Sequence, residues 1–261
     1  MISAQNVNVW AGRRQILYDV SLTAQPGQVT VIIGPNGSGK STFVKALSGD
    51  LPYTGTVTLN GRDLKHLRPD AVATMRGVLP QHTRISFPYT VREVVELGLL
   101  HRSSTEGQHH MADHALAMVD LSGFAGRLYQ ELSGGEQQRV QLARVLCQVW
   151  APMLEGTPRW LILDEPISSL DIRHQLLVMR IARDFASRGG GVIAVLHDLN
   201  LTAAFADHVA VFRDGQIATV GAPRSVMKDG VLCDVFQCAL RVGAVPAHVP
   251  FVLPQTVNET P

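Results

Sequence analysis

One short segment limits the fold more than any other feature of the chain: the sequence GPNGSGKS at residues 34–41. It fits the pattern G-x-x-x-x-G-K-[ST], whose glycines let backbone N–H groups close around phosphates. A continuous β-branched run, Val29–Ile33, precedes it, and helical spacing follows over Lys40–Ser48. A strand buried on both faces, a glycine-rich turn and a helix in this order predict a phosphate site at a helix N-terminus, on a parallel sheet.

The side chains at the end of this loop have the chemistry that ATP and Mg²⁺ require. Lys40 would reach the β- and γ-phosphates, Ser41 would be a ligand of Mg²⁺, and Thr42 would support the phosphates next to it. The rest of the loop would contribute its backbone to the cradle, and consists of Gly34, Pro35, Asn36, Gly37, Ser38 and Gly39. The alternative is a glycine-rich turn with an incidental lysine, but the strand and helix on either side favour a site for Mg-ATP.

A pair of carboxylates stands at a second place where a phosphate site would open. The segment WLILDEP puts Asp164 and Glu165 at the end of an apolar strand. Asp164 suits the Mg²⁺ shell, and Glu165 can point toward an attacking water as general base, since adjacent residues leaving a strand diverge in direction. Alone, such a pair would indicate a solvated turn. Together with the glycine-rich loop it predicts hydrolysis of the bound nucleotide.

The order of apolar patterns predicts an α/β fold with two additions. Alternation over Ala4–Trp10, Leu17–Leu22 and Gly55–Leu59 indicates short antiparallel strands. Helical spacing replaces it in three segments between Val91 and Val149, which are Val91–Leu100, His110–Val119 and Glu136–Cys147. Strand character returns at Trp160–Leu163 and Val192–Leu196, each followed by a helix, as in a doubly wound sheet.

We therefore expect one domain over residues 1–261. Its P-loop NTPase core with a parallel sheet and an N-terminal antiparallel β-subdomain would cover residues 1–86 and 150–261. An inserted α-helical subdomain would cover residues 87–149. The tail beyond Arg241 supports no prediction of structure.

Composition excludes several classes of protein. With 23 Lys and Arg against 22 Asp and Glu, a net charge of +1 provides no general attraction to nucleic acid. Apolar runs are far shorter than the roughly 20 residues of a membrane-spanning helix, and the N-terminus lacks the pattern of a secretory signal. In the cytosol, Cys147, Cys233 and Cys238 are expected to be reduced thiols without a metal or catalytic role.

A further motif makes the resemblance specific. LSGGEQQR, at Leu132–Arg139, resembles the signature sequence of ABC-type ATPases. Other positions match the family in order: Gln81 resembles its Q-loop glutamine, Ser169-Leu170-Asp171 its D-loop and His197 its switch histidine. Trp10 occupies the place of the aromatic residue that stacks on adenine. The resemblance covers nearly the whole chain.

The resemblance implies roles for these residues. Catalysis would depend on Glu165, His197, Lys40 and Gln81, and Mg²⁺ would be held by Ser41, Gln81 and Asp164. In this family the serine and second glycine of the signature contact ATP bound to the opposite subunit. Nucleotide contacts are therefore expected from Trp10, Ser133, Gly134, Gly135 and Asp171. The implied assembly is a homodimer of ATPase subunits bound to two transmembrane permease subunits.

Some segments resemble a narrower group, the ATPases of bacterial hemin importers. The extra residues Gln148–Arg159, between the signature helix and the Asp164 strand, and the tail GAVPAHVPFVLP carry this likeness. Thr90–Gly98 and His197–Asp207 carry it too, but they also resemble iron-siderophore and cobalamin importers. The resemblance implies hemin uptake, with a periplasmic hemin-binding protein in the system and the chain at the cytoplasmic face of the bacterial inner membrane.

Other hypotheses remain at this stage. One is a soluble ABC-type ATPase that acts on ribosomes or DNA, which would resemble tandem cassettes or contain long coiled coils. Another is a regulator that binds ATP without hydrolysing it. The run His109, His110 and His114 suits either a solvated helix face or a heme or metal site, since the last two lie one helical turn apart.

Overall fold

The structure, a computed structural model, describes residues 1–83, 85–100 and 108–253. Its strands are β1 (Ile2–Ala11), β2 (Arg14–Ala24), β3 (Val29–Ile33), β4 (Thr54–Leu59), β5 (Arg62–Asp63), β6 (Arg76–Leu79), β7 (Met153–Leu154), β8 (Thr157–Pro158), β9 (Trp160–Asp164), β10 (Gly191–Val195), β11 (His208–Arg213) and β12 (Gln216–Gly221). Its α-helices are α1 (Lys40–Leu47), α2 (Pro69–Met75), α3 (Val91–Glu96), α4 (Gln108–Met118), α5 (Gly134–Gln148), α6 (Ile172–Ser187), α7 (Leu199–Phe205), α8 (Pro223–Val226) and α9 (Asp229–Phe236). Short 3-10 turns lie at Leu64–His66, Leu97–Leu99 and Tyr129–Glu131.

A six-stranded sheet in the order β12-β11-β3-β10-β9-β6 forms the centre of the fold. Strands β6, β9, β10, β3 and β11 are parallel, and β12 pairs antiparallel at one edge. Every residue of β3, β9 and β10 is buried, as expected of parallel strands covered on both faces. The carboxyl ends of β3 and β9 lie on the same edge, which brings the glycine-rich loop and Asp164 together.

A second sheet, antiparallel, has the order β2-β1-β4-β5. Strands β1 and β2 extend beyond the predicted ranges at both ends, and their pairing is irregular within those ranges. The register shifts between Ala4 and Val7, where Asn6 has φ 47°. Its backbone N–H donates to Ser21 Oγ at 2.9 Å, so side chains complete the pairing there.

The two faces of the central sheet cover two different buried clusters. On one face, Val29, Val31 and Ile33 pack with the helices α3, α4, α5 and α6. On the other face, Ile32 packs with α1 and with the inner face of the antiparallel sheet. Alternate residues of each strand therefore serve different cores, and the central sheet is the wall between them.

Helices α3, α4 and α5 pack together within the first of these clusters. The predicted helix over Val91–Leu100 is shorter in the structure, since α3 ends at Glu96 and continues as a 3-10 turn. A Cβ at Gly98, in that turn, would lie 2.0 Å from the Arg144 carbonyl, so glycine permits close approach to α5. Part of the predicted helical subdomain, residues 101–107, lies outside the described residues, as does Pro254 at the end of the tail segment.

The Gln148–Arg159 segment folds as a small hairpin. After the last residue of α5, strands β7 and β8 pair antiparallel around a turn at Glu155 and Gly156. Both turn residues have positive φ, 48° and 76°, as a two-residue hairpin with the twist of its strands requires. The Asn60 amide donates to Pro158 O at 2.8 Å and attaches the hairpin to the antiparallel sheet.

Strand β6 and the hairpin of β11 and β12 are among the features that were not predicted from the sequence. Strand β6 is four residues long, too short for a clear pattern. The hairpin of β11 and β12 turns at Asp214-Gly215, both at positive φ, and the Asp-Gly pair is the signal that would have revealed it. The described part of the chain contains no helix long and apolar enough to cross a bilayer.

Candidate nucleotide-binding and hydrolysis site

The glycine-rich loop has a backbone that only glycine fits at two positions. Gly34 has φ 149°, and a Cβ there would lie 2.3 Å from the Phe212 carbonyl oxygen. Gly39, with φ 101°, caps α1, and a Cβ there would lie 2.7 Å from Leu17 Cδ2. Strands on both sides therefore hold the loop against the N-terminus of α1, where unpaired N–H groups attract an anion.

Lys40 folds back over its own loop. Its ammonium donates to the carbonyl oxygens of Gly34 and Pro35, each at 2.8 Å, and the residue is only 5% exposed. Burial lowers the pKa of Lys40, while the negative charges of Glu165 and Asp164 act in the opposite direction. The side chain is thus fixed at the loop by neutral acceptors that a phosphate, with its charged oxygens, would replace favourably.

Ser41 and Asp164, both predicted ligands of Mg²⁺, are in contact. The Ser41 hydroxyl donates to Asp164 Oδ1 at 3.1 Å, and Asp164 is 3% exposed. Burial raises the pKa of Asp164, and the hydrogen bond from Ser41 acts against that shift. A hydroxyl beside a desolvated carboxylate is a set of hard oxygen donors, and it fits Mg²⁺, which would stabilise the ionised carboxylate.

Glu165 contacts His197, a contact that the sequence did not predict. His197 Nε2 lies 2.7 Å from Glu165 Oε1. Glu165 has φ 52°, a left-handed conformation that is uncommon for a residue with a side chain. Its carbonyl oxygen accepts from Gln138 Nε2 at 2.9 Å and from the Ser168 hydroxyl at 3.2 Å.

A cavity of about 700 Å³ opens over these groups. It is lined by Arg14, Ile16, Asn36, Gly37, Gly39, Lys40, Ser41, Thr42, Gln81, Glu165 and His197. Most of the predicted phosphate and catalytic residues therefore share one space. Arg14 and Ile16 are additional residues in the part of β2 that precedes the predicted strand Leu17–Leu22, and no sequence signal marked them as part of a site. Trp10, 45% exposed, lies outside the lining and pairs with Gln15 on the hairpin that carries Arg14.

The predicted signature and D-loop residues lie elsewhere. Ser133 is the N-cap of α5, where its hydroxyl and the Glu136 carboxylate form a capping box. Asp171 caps α6 and accepts from the His174 backbone N–H at 2.9 Å. A Cβ at Gly135 would lie 3.0 Å from the Ser169 carbonyl oxygen, so the signature and D-loop segments adjoin. Ser133, Gly134 and Asp171 are exposed, and within the described residues none of them lines the cavity over Lys40.

A second cavity, of about 350 Å³, lies between the segment around Gln81 and helix α5. Its lining includes Gln81, Tyr129, Gly134, Gln138 and Ser169. Gln81 lines both cavities, so it stands between the nucleotide cavity and the signature helix.

Two of the three histidines of α4 have separate partners. His109 contacts the Glu96 carboxylate, and the His114 ring packs edge-on against Trp150, with centroids 5.2 Å apart. Over residues 1–83, 85–100 and 108–253 no group of three or more metal-binding side chains comes together. The structure therefore gives no support to a metal cluster at this run.

The sequence profile of the ABC transporter family matches residues 17–168. The chain belongs to the ABC transporter family. That membership confirms the predicted family and P-loop NTPase fold, and it makes the chain an ATP-binding, ATP-hydrolysing subunit of a transport complex that includes a membrane permease.

Relatives within the ABC transporter family match the chain from end to end. The hemin import ATP-binding protein HmuV of Chelativorans sp. (strain BNC1) is 60% identical over 98% of this chain and 99% of that protein. The protein of the same name in Rhizobium meliloti (strain 1021) is 58% identical over 99% of this chain and its full length.

Solved structures of ABC cassettes have the same fold. A dimeric bacterial ABC transporter cassette is 28% identical, with a TM-score of 0.74 over 86% of this chain and 99% of that one. An inward-facing putative metal-chelate type ABC transporter has a TM-score of 0.73 over 90% of this chain and 88% of that one. At 23% identity the latter likeness is one of fold alone.

Proposed function

We propose that the chain is the ATPase subunit that energises hemin uptake, bound peripherally at the cytoplasmic face of the bacterial inner membrane. The observation that supports hemin as the cargo is the end-to-end similarity, 60% sequence identity over 98% of the chain, to a protein named for hemin import. The sequence resemblance of the hairpin segment Gln148–Arg159 to hemin-importer ATPases supports the same cargo. An iron-siderophore or cobalamin cargo is the alternative.

The loop from Gly34 to Thr42 would bind the phosphates of ATP. Lys40 would exchange its two carbonyl acceptors for the β- and γ-phosphate oxygens. The N-terminus of α1 would add its N–H groups, and Gly34, which tolerates no Cβ, would keep the cradle open. Trp10 would stack on the adenine from the neighbouring hairpin.

Ser41, Asp164 and Gln81 would hold Mg²⁺. The ion, when bound, neutralises charge on the β- and γ-phosphate oxygens and fixes their orientation. The hydrogen bond between Ser41 and Asp164, at 3.1 Å, supports this proposal, because it brings together two oxygen atoms that suit Mg²⁺. Gln81, at the junction of the two cavities, would report the state of the nucleotide to the signature helix.

Glu165 would take the proton of the attacking water. Its carboxylate lines the cavity and is held at 2.7 Å by His197, which orients it. When ATP enters, the imidazole would donate a hydrogen bond to the γ-phosphate, and the carboxylate would be left for water. Positioning and charge stabilisation by Lys40 and His197 would supply most of the remaining rate.

A second copy of the chain would complete the site. Ser133, Gly134 and Asp171 are exposed, and neither they nor Gly135 line the cavity over Lys40 of their own chain. The start of α5, a helix of 15 residues, would face the γ-phosphate held by the partner. Two ATP molecules would then lie between two copies of the chain and hold them together as a homodimer. The homodimer would drive two transmembrane permease subunits, to which a periplasmic hemin-binding protein would deliver hemin.

The test is the ATPase rate of the chain reconstituted in lipid with its permease. Stimulation by a hemin-loaded binding protein, and not by siderophore- or cobalamin-loaded ones, is the expected result. Stimulation by either of the other cargoes would overturn the hemin assignment while leaving the ATPase assignment in place.

The substitution Glu165→Gln tests the hydrolytic mechanism in the same preparation. We expect turnover to fall by roughly 10²–10⁴-fold, while ATP binding persists and the closed dimer accumulates. Glu155→Gln, in the exposed turn of the β7–β8 hairpin, is the matched control and should leave turnover unchanged. Turnover at the wild-type rate in Glu165→Gln would disprove the general-base role.

A further inference from the structure

Gln138 connects the signature helix to the backbone of Glu165 within one chain. It lies in the second turn of α5, and its Nε2 donates to the Glu165 carbonyl oxygen at 2.9 Å. The same oxygen accepts from the Ser168 hydroxyl at 3.2 Å. The Ser168 backbone N–H also donates to it, at 3.4 Å, so donors from α5 and from the turn after β9 fix one peptide group, directly after the strand that ends at Asp164.

The backbone that these donors hold is strained. Glu165 has φ 52°, and a residue with a Cβ adopts that conformation only where its surroundings impose it. A relaxation of the peptide would rotate the Cα–Cβ bond and move the carboxylate away from His197, now 2.7 Å away. The position of the carboxylate thus depends on the hydrogen bonds to its own carbonyl oxygen.

From this geometry we infer that Gln138 is a positioning residue for hydrolysis, which holds Glu165 in the orientation that faces the nucleotide cavity. The inference rests on the proposed role of Glu165 as general base. Gln138 itself does not line that cavity, so it acts through Glu165 and not on ATP directly.

The oxygen of the Gln138 amide provides a route by which bound nucleotide would affect the hydrogen bond from Gln138 to Glu165. Gln138 Oε1 is buried and, within the described residues, has no hydrogen-bond partner. Gln138 lines the second cavity together with Gln81, which also lines the nucleotide cavity. A donor from Gln81 or from water in this cavity would satisfy Oε1 and tighten the amide on Glu165. The position of Gln81 would then influence the carboxylate through Gln138.

The substitution Gln138→Met tests the inference, because methionine keeps the length of the side chain and removes the donor. We expect kcat for ATP to fall by roughly 10- to 100-fold, as for a slightly misplaced catalytic group, with KM and ATP affinity nearly unchanged. The matched control is Gln148→Met on the same helix, whose amide donates to Ala73 O and Arg76 O, and none of these residues lines either cavity. It should lower Tm and leave kcat within about twofold of wild type.

A double substitution separates positioning from a general effect on structure. If Gln138 acts through Glu165, Gln138→Met should cause no further loss in the Glu165→Gln background. If Gln138→Met lowered kcat in the Glu165→Gln background by the same factor as in wild type, or if Gln138→Met alone had a wild-type kcat, the inference would be overturned. Wild-type turnover in Glu165→Gln would instead overturn the proposed mechanism. Should Gln138→Met fail to fold, Gln138→Asn, which shortens the reach of the donor, provides the same comparison.

Discussion

At the scale of single residues, Asp164 is a buried carboxylate that suits Mg²⁺ but lowers the stability of the folded protein when no metal ion is bound. Its carboxylate is buried, with Ser41 as a hydrogen-bond donor, and burial raises its pKa. A carboxyl whose pKa is higher in the folded than in the unfolded protein opposes folding once it is ionised. The penalty begins as pH rises past the unfolded pKa and is complete above the folded pKa, and it is absent at lower pH, where the group is protonated in both states.

We therefore expect Asp164→Asn to stabilise the protein in the absence of nucleotide and metal. The gain at neutral pH would be on the order of 1 kcal/mol, or roughly 2–4 °C in Tm, and it would shrink as pH falls, while Mg²⁺-dependent turnover would be lost. Thermal unfolding across pH 4–8, on an approximately half-unit grid, measures the first effect. Asp70→Asn is the control, since Arg68 lowers the pKa of that exposed carboxyl and no stabilisation should follow. A lower Tm in Asp164→Asn at neutral pH would contradict the prediction.

At the scale of elements, two helices begin with the same device and differ in what their first turns face. Helix α3 is capped by Thr90 with Glu93, and helix α5 by Ser133 with Glu136, each pair forming a capping box. Loss of the capping hydroxyl costs about 1 kcal/mol in either helix. The start of α5, however, would also face the partner's nucleotide.

Ser133→Ala and Thr90→Ala therefore form a matched pair. Both variants should lose about 1 kcal/mol of unfolding free energy, measured by urea denaturation. Ser133→Ala alone should also weaken ATP-driven dimerisation and lower turnover of the isolated ATPase. Equal turnover in the two variants would contradict a contact between Ser133 and the ATP bound to the partner.

Elements also show how far sequence could lead. The range predicted for β3 is confirmed residue for residue, and α1 begins where predicted, because burial on both faces and a glycine-rich turn leave little choice there. The contact between Glu165 and His197 was out of reach, since it joins strand ends far apart in sequence. Arg14 on β2 was missed because an exposed strand arginine looks like any solvated residue until the cavity is seen.

At the scale of the whole molecule, one asparagine joins the two sheets. Asn60 accepts from the Trp160 indole N–H at 3.1 Å and donates to Pro158 O at 2.8 Å. It follows β4 of the antiparallel sheet, whereas Trp160 opens β9 of the central sheet and is fully buried. Removal of the side chain would leave a buried indole donor without its partner.

Asn60→Ala should accordingly destabilise the whole fold by about 1–3 kcal/mol, with a single cooperative transition in chemical denaturation. The control is Asn8→Ala, because the Asn8 amide bonds to Asn6 O and Asp19 within the antiparallel sheet. A loss in Asn60→Ala no larger than in Asn8→Ala would show that the bond between the sheets adds nothing.

The location of Ser133 and Gly135 away from their own nucleotide cavity has a kinetic consequence. If the proposed dimer holds, a solitary copy has every group that binds ATP but lacks the contacts that complete hydrolysis. Turnover of the isolated subunit would then follow second-order kinetics in protein concentration when dilute, and become first-order once pairs predominate. A titration of protein at saturating Mg-ATP would display that crossover, and permeases that hold two copies side by side would abolish it. In the cell, assembled transporters would hydrolyse ATP, whereas free single subunits would not.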